Sequence, residues 1–460
     1  MQIKCVIRQS LALMLFYSCV LCTAAANQPQ SDALKVILDI LRSNDQQMQT
    51  VAISMTREMP GPEVTKVLAD ELPNLSSTCQ AQLLAALGDR GDKAALPAVI
   101  NAAKAQDKSV RIAALKALGR LGNASDVGLL AQAAANTTGD EQKVARDSLY
   151  QLSAPNVDQE ILTNIPKSEA SIKIELIRAV GERNITTGVT TLLIMAKDSD
   201  RKVRIESFRV LRIIAVPEHL PELVRLLINA QESSDRTEAE KTVAGVARKI
   251  PSENRRAEAV LAFLPSVKQT QSRCSLLSVL GRIGDSSALQ ALRAELGSQE
   301  VEVQTEAIRA LSSWPTAEPL QDLLKLARDR DNPLQKTLAL RGFVRTIGLA
   351  GDLSAKEKVK MYEQAMSLAP NTTEKKNVLS QLANNGSLEA FNLASVYLDG
   401  PALKEEAEFA VVKIAQAISS DYPEQTMNVL KKIVHTTKND SLRQQAQKLI
   451  KQTKQINNNS

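Results

Sequence analysis

Few residues in this chain of 460 could carry metal, acid–base or thiol chemistry, and the sequence does not gather them. It has two histidines, His219 and His435. A metal site needs three or four ligands converging on one ion. A hydrolytic triad needs a nucleophile beside an imidazole. His219 stands in Pro217-Glu218-His219-Leu220-Pro221 and reads as a solvated turn residue entering a helix. Beyond residue 26 there is no Gly-x-Ser-x-Gly, phosphate-cradling loop or Cys-x-x-Cys. Aromatic residues make up only 3% of the chain, which works against sites that stack bases, sugars or flavins. The reading is of a protein with no catalytic residues, no metal and no cofactor. What remains are groups that could bind: Arg111, Lys173 and Arg204, Trp314, and Lys431 and Lys432 in a basic stretch near the C-terminus.

The elements that position these groups come from a repeat. Taking Gly119 as anchor, the equivalent residues are Arg57, Gly88, Gly119, Tyr150, Gly181 and Arg212, each 31 residues from the next. Nine positions earlier stand Met48, Cys79, Val110, Glu141, Ile172 and Val203; eleven later stand Leu68, Val99, Leu130, Ile161, Leu192 and Leu223. Apolar residues recurring at helical spacing mark a buried stripe, so each repeat holds two amphipathic helices. Twelve before each anchor sit Asp45, Ser76, Asp107, Thr138, Glu169 and Asp200, of which Glu169 is the weak helix cap. The anchor glycines are expected at helix C-termini, where a positive φ suits glycine. Leu280-Gly281 and Leu311-Ser312 continue the series, with irregular spacing near 230–260 and 345–380.

The pattern Asp107-x-x-Val110-Arg111, then Ala114-Leu115-x-Ala117-Leu118-Gly119, resembles HEAT repeats, in the short bacterial form seen in phycobilin lyases. Asp200, Val203 and Arg204 repeat its opening, and Leu280-Gly281-Arg282-Ile283-Gly284-Asp285 repeats its close. The resemblance implies an all-α fold: a right-handed, armadillo-like α-solenoid of about 12–13 helix pairs. It also implies a scaffold or adaptor that binds protein along a concave face.

Set in that frame, Arg111, Lys173 and Arg204 share one slot, eight before the anchor. They form either a cationic ladder for an acidic partner or a brace toward the acids Asp107, Glu169 and Asp200 on the same turns. Trp314, in Ser312-Ser313-Trp314-Pro315, is either a part-exposed binding anchor or packed under a neighbouring repeat. Arg90-Gly91-Asp92 spells an adhesion tripeptide, yet it repeats the turn found at Gly119–Asn123 and Gly281–Asp285. Residues 425–460 carry seven Lys/Arg (Lys431, Lys432, Lys438, Arg443, Lys448, Lys451 and Lys454) against one acid. Seven N-x-S/T sequons, from Asn74 to Asn439, fall mostly in turns.

Residues 1–26 have the layout of a secretory signal: Lys4 and Arg8, an apolar run from Leu11 to Leu21, then Ala24-Ala25-Ala26. Its removal would leave Cys79 and Cys274, 195 residues apart on apolar helix slots, which are expected to be separate buried thiols. Lipidation at Cys19 or Cys22 is the weaker alternative, because Cys19-Val20-Leu21 lacks small residues before Cys22. The expected organisation is a signal at 1–26, a continuous solenoid at 27–454 and a disordered polar tail at 455–460. The function expected is a non-catalytic protein-binding scaffold in a periplasmic or extracellular compartment. It has no membrane span, and nucleic acid and small molecules are disfavoured as partners. The alternatives are attachment to an envelope or polyanion through the basic tail, or a HEAT-like lyase.

Overall fold

The computed structural model describes the backbone of residues 28–459 and the side-chain environment of residues 32–455. The expected signal segment lies outside these residues. The described residues form 26 α-helices, several entered or left through a single 3-10 turn, and no strand. None is long and apolar enough to cross a membrane. The fold is all-helical, and the chain divides into two compact units, one ending at Val210 and the other beginning at Leu211. No change of composition marks this division, and the 31-residue spacing runs through it.

In the first unit the longer helices of successive repeats are Gln46–Glu58, Ser77–Arg90, Lys108–Leu121, Asp140–Gln151 and Ala170–Glu182. Shorter helices, such as Pro62–Glu71, Leu96–Ala102 and Val127–Asn136, alternate with them. The capping slot explains where most of the long helices begin. Asp45 accepts from the N–H groups of Gln47 and Met48, Ser76 from Cys79, and Asp107 from Ser109 and Val110. A side-chain oxygen here satisfies amides that have no partner inside the helix. Glu169 stands at its N-cap without a side-chain bond, while the helix Asp140–Gln151 starts after Gly139, one residue beyond Thr138. The stripe facing inward is apolar: Cys79, Leu83, Leu84 and Leu87 in one helix, then Val110, Ala114, Leu115 and Leu118 in the next, all buried.

The second unit repeats the arrangement with longer irregular pieces. The helix Ser233–Ala247 is followed by the turn Glu253–Arg255 and the four-residue helix Glu258–Leu261. The helix Pro333–Leu349 is extended, which absorbs part of the lost spacing after residue 345. Its last helix, Asp440–Asn459, runs into the Asn-rich residues that the sequence reading set aside as a tail.

The anchor glycines have a different role from the one expected. Gly88, Gly119 and Gly281 lie inside their helices, and positive φ occurs instead at Gly61, Gly91, Gly139 and Gly284. At Gly119 and Gly281 the anchor must be small because the next long helix crosses there. A Cβ on Gly119 would lie 2.8 Å from both Cα and Cβ of Ser148, and one on Gly281 would lie 2.7 Å from Cβ of Ala310. Gly342 meets Ser312 in the reverse sense, with the glycine on the later helix. A seam of small residues therefore lets consecutive repeats approach backbone to backbone.

Candidate partner-binding surfaces

The three cations of the shared slot are engaged within the fold, and Arg111 and Lys173 meet acids other than those expected. Arg111 grips Glu141, at the start of the next long helix, with Nε–Oε1 2.6 Å and Nη2–Oε2 3.0 Å. Its Nη1 donates to the carbonyls of Ala105 and Gln106. Lys173 Nζ lies 2.7 Å from Asp198 Oδ2, and Arg204 Nη1 donates to the carbonyls of Asp198 and Ser199. For Arg111 and Lys173 the brace thus runs to Glu141 and Asp198, on the next repeat or the neighbouring turn. The Arg111 guanidinium, through its hydrogen bonds, holds the Glu141 carboxyl below the usual carboxylate range. The folded value being depressed, the pair's contribution is complete above the unfolded carboxylate pKa of about 4.3 and is lost as pH falls through the lower folded value. Glu141→Gln is expected to lower the melting temperature at pH 7 and to flatten its decline between pH 5 and pH 3, followed by circular dichroism.

Further ion pairs that the sequence did not reveal connect one repeat to the next. In the first unit, Glu175 takes both Arg146 (2.6 Å) and Arg178 (2.8 Å), Arg178 also reaches Glu206 (3.3 Å), and Glu206 meets Arg209 (3.2 Å). In the second unit Arg212 and Lys241 share Glu238, and Arg341 forks onto Glu374. Glu175 and Glu374 are buried against these partners. A sequence signal existed: Glu-x-x-Arg/Lys recurs at Glu175–Arg178, Glu206–Arg209, Glu238–Lys241 and Glu306–Arg309.

A second device closes helix C-termini. Arg183 Nη1 donates to the carbonyls of Tyr150 and Leu152, 2.7 Å each, at the end of the preceding long helix. Arg90 does the same to Thr56 and Met59, Lys249 to Ile213 and Ala215, and Arg345 to Ser312 and Trp314. These last carbonyls have no partner within their own helix and carry the negative end of its dipole. Arg90 of the Arg-Gly-Asp tripeptide is therefore held against the preceding repeat. Gly91 has φ 73°, and Asp92 caps Ala94. The tripeptide is a structural turn.

Trp314 is fully buried, and its Nε1 donates to Glu318 at 3.0 Å. The part-exposed anchor is thereby corrected: the ring is held in the core and offers no face to a partner. Lys432 pairs with Asp399 at 2.7 Å, whereas Lys431 is exposed. His219 Nδ1 accepts from Val216 N–H and closes a turn. Cys79 and Cys274 are free thiols, Cys79 buried and Cys274 half-buried. Burial, with Glu306 nearby, pushes the Cys274 thiol up to about 11, the opposite of what a nucleophile needs. No group of three or more metal-ligating side chains occurs among the described residues.

One open cleft in the second unit suits a partner segment. It encloses about 710 Å³ between the helices Val301–Ser312 and Pro333–Leu349 and the turns before them. Gln304, Lys325, Arg330 and Gln335 supply polar groups, and exposed Val301 an apolar one.

The comparisons with known proteins agree with this architecture. Residues 65–149 and 257–342 match HEAT repeats. No curated protein matches the sequence. Among solved structures, Kap121p bound to Pho4p superimposes with a TM-score of 0.54 at 10% identity, covering 92% of this chain and 54% of that one. Kap121p bound to Nup53p gives 0.55 at 11% identity, covering 97% and 55%. Importin beta gives 0.52 at 12% identity, covering 97% and 71%. This chain thus spans about half the length of the Kap121p chains, and at such identity the likeness concerns the fold. The chain thus carries HEAT repeats in two stretches, one in each unit, and has an all-helical fold similar to the α-solenoids of these neighbours.

Proposed function

We propose that this protein is a non-catalytic scaffold that binds partner proteins in an exported compartment. The cleft beside Val301 carries the reading most directly. It joins exposed Val301 to the exposed Lys325 ammonium and the exposed carboxylates of Asp329 and Asp331, groups that can meet the side chains of an extended peptide. Such mixed surfaces recognise protein segments, whose backbone needs hydrogen bonds and whose side chains need apolar contact. Two of the similar structures are of Kap121p with a bound protein, which fits this use of the fold. The raised pKa of both thiols and the engaged cations favour binding over catalysis. Export rests on the layout of residues 1–26 and is tested by sequencing the N-terminus of the protein from its native source. A mature start at Asn27 supports it, and an intact Met1 in the cytoplasm refutes it.

The binding role is tested by immobilising the purified chain and identifying what it retains from the native exported fraction. One or a few proteins in fixed ratio, displaced by free chain, support the scaffold. Retention of nothing, or of polyanions released by salt, contradicts it.

A further inference from the structure

The cations that join consecutive repeats occupy regular positions counted from the helix N-cap. Arg178 and Arg341 stand nine residues after their N-caps, Glu169 and Asn332, and pair with Glu206 of the helix Arg201–Ile214 and Glu374 of the helix Thr372–Leu382. Arg57 and Arg212 stand twelve after Asp45 and Asp200, and they pair with Asp89 and Glu238. In the last described helix, Asp440–Asn459, Asn439 is the cap and bonds Leu442 N–H. Lys448 and Lys451 then fill the ninth and twelfth positions, and Lys454 extends the row.

These three lysines are exposed and reach no carboxylate among the described residues. Four earlier repeats place a glutamate six residues after the cap (Glu175, Glu206, Glu238 and Glu306), each paired with the cation three residues on. The last helix has Gln445 there, so Lys448 has no glutamate three residues before it, while Asp440 pairs with Arg443. Leu442, Ala446, Leu449 and Thr453 are buried toward the helices Lys404–Ile418 and Pro423–Thr436. At 100° per residue Lys451 points opposite that stripe, with Lys448 and Lys454 about 60° to either side. Residues three apart on a helix are neighbours, rising about 4.5 Å per step, so the lysines form one short ridge. No aromatic or large apolar side chain is exposed between them, a poor match for a single nucleic-acid strand or for insertion into a bilayer.

We propose that this face docks an acidic helix of a protein partner, whose carboxylates take the positions that Glu206, Glu374, Asp89 and Glu238 take inside the units. The proposal deepens the scaffold reading and rests on it. It names one surface and the chemistry of what binds there.

The test uses the purified chain and a labelled amphipathic helical peptide with glutamates along its polar face, beside the same peptide with glutamines. Binding is followed by fluorescence anisotropy at low salt. The glutamate peptide is expected to bind about tenfold more tightly than the glutamine peptide, the scale set by a few exposed ion pairs. The triple variant Lys448→Glu, Lys451→Glu, Lys454→Glu should erase the preference while leaving helicity and melting unchanged. Equal binding of the two peptides, or a preference that survives the triple variant, overturns the proposal. So does lysine-dependent sedimentation with phosphatidylglycerol vesicles without any peptide preference, which would assign the ridge to a lipid surface. A chain that retains a protein partner but fails the peptide test keeps the scaffold and loses this docking face.

Discussion

Trp314→Ala is expected to destabilise the second unit by about 3–5 kcal/mol, the range for removing a large buried aromatic side chain. The indole is wholly buried, and its N–H bond to Glu318 is lost with it. The adjoining turn is tied down by the Arg345 guanidinium on the Trp314 carbonyl and by Pro315 packed against Gly284. These backbone contacts survive the substitution, so the cavity has little freedom to collapse. Trp314→Phe keeps much of the ring volume and should lose only about 1 kcal/mol, the worth of an ordinary hydrogen bond. Urea denaturation followed by circular dichroism measures both, since the only tryptophan is removed. Repeat arrays need not unfold in one step, so the shift is sought in the transition belonging to residues 211–460. If the alanine variant lost less than 1 kcal/mol, the side chain would not be packed as described. Because the ring is internal, Trp314→Phe should leave partner retention unchanged.

The second large effect is expected at the small-residue seam of the first unit. Gly119→Val forces a branched side chain where even a Cβ would lie 2.8 Å from the Ser148 backbone. Both helices must shift, and overpacking at this level costs about 3 kcal/mol. Gly119→Ala separates the seam from helix propensity. Alanine favours a helix interior over glycine by about 1 kcal/mol, yet the contact should make the variant less stable than the parent. Gly128, in the helix Val127–Asn136, has nothing within 4 Å of a built Cβ. Gly128→Ala should therefore stabilise the protein by about 0.5–1 kcal/mol. Opposite signs at two helical glycines would mark close approach as the reason for the anchor. Equal gains at both would remove it.

The contrast shows which physics a single sequence exposes. The helix pairs were legible because apolar spacing and caps are local: Asp107 and Val110 lie three residues apart and act within one turn. The purpose of Gly119 was not, because its cause is Ser148, a full repeat away. The same distance hid the partner of Arg111. Asp107 stands closer in sequence and offers a ready acid, whereas Glu141 becomes a neighbour only after the helices stack. Trp314 stayed open between a part-exposed anchor and a packed ring, since Ser-Ser-Trp-Pro has the polar, broken character of a surface turn and Arg345, which holds its carbonyl, comes 31 residues later. The division at Val210 left no trace because the repeat spacing continues through it. The candidate surface was least legible of all. The shared cations read as either a ladder for a partner or a brace, and only the stacked helices show them engaged within the fold; the exposed lysines of the last helix emerge only against that internal pattern.

If consecutive repeats together form a surface for a protein partner, hydrogen exchange of the chain, alone and saturated with a protein it retains, will register it. Added protection is expected at about one-repeat intervals over two or more adjacent repeats of one unit, including the cleft at Val301–Gln335 or the ridge at Lys448–Lys454. Protection confined to a single turn, or no change anywhere at saturation, would contradict it.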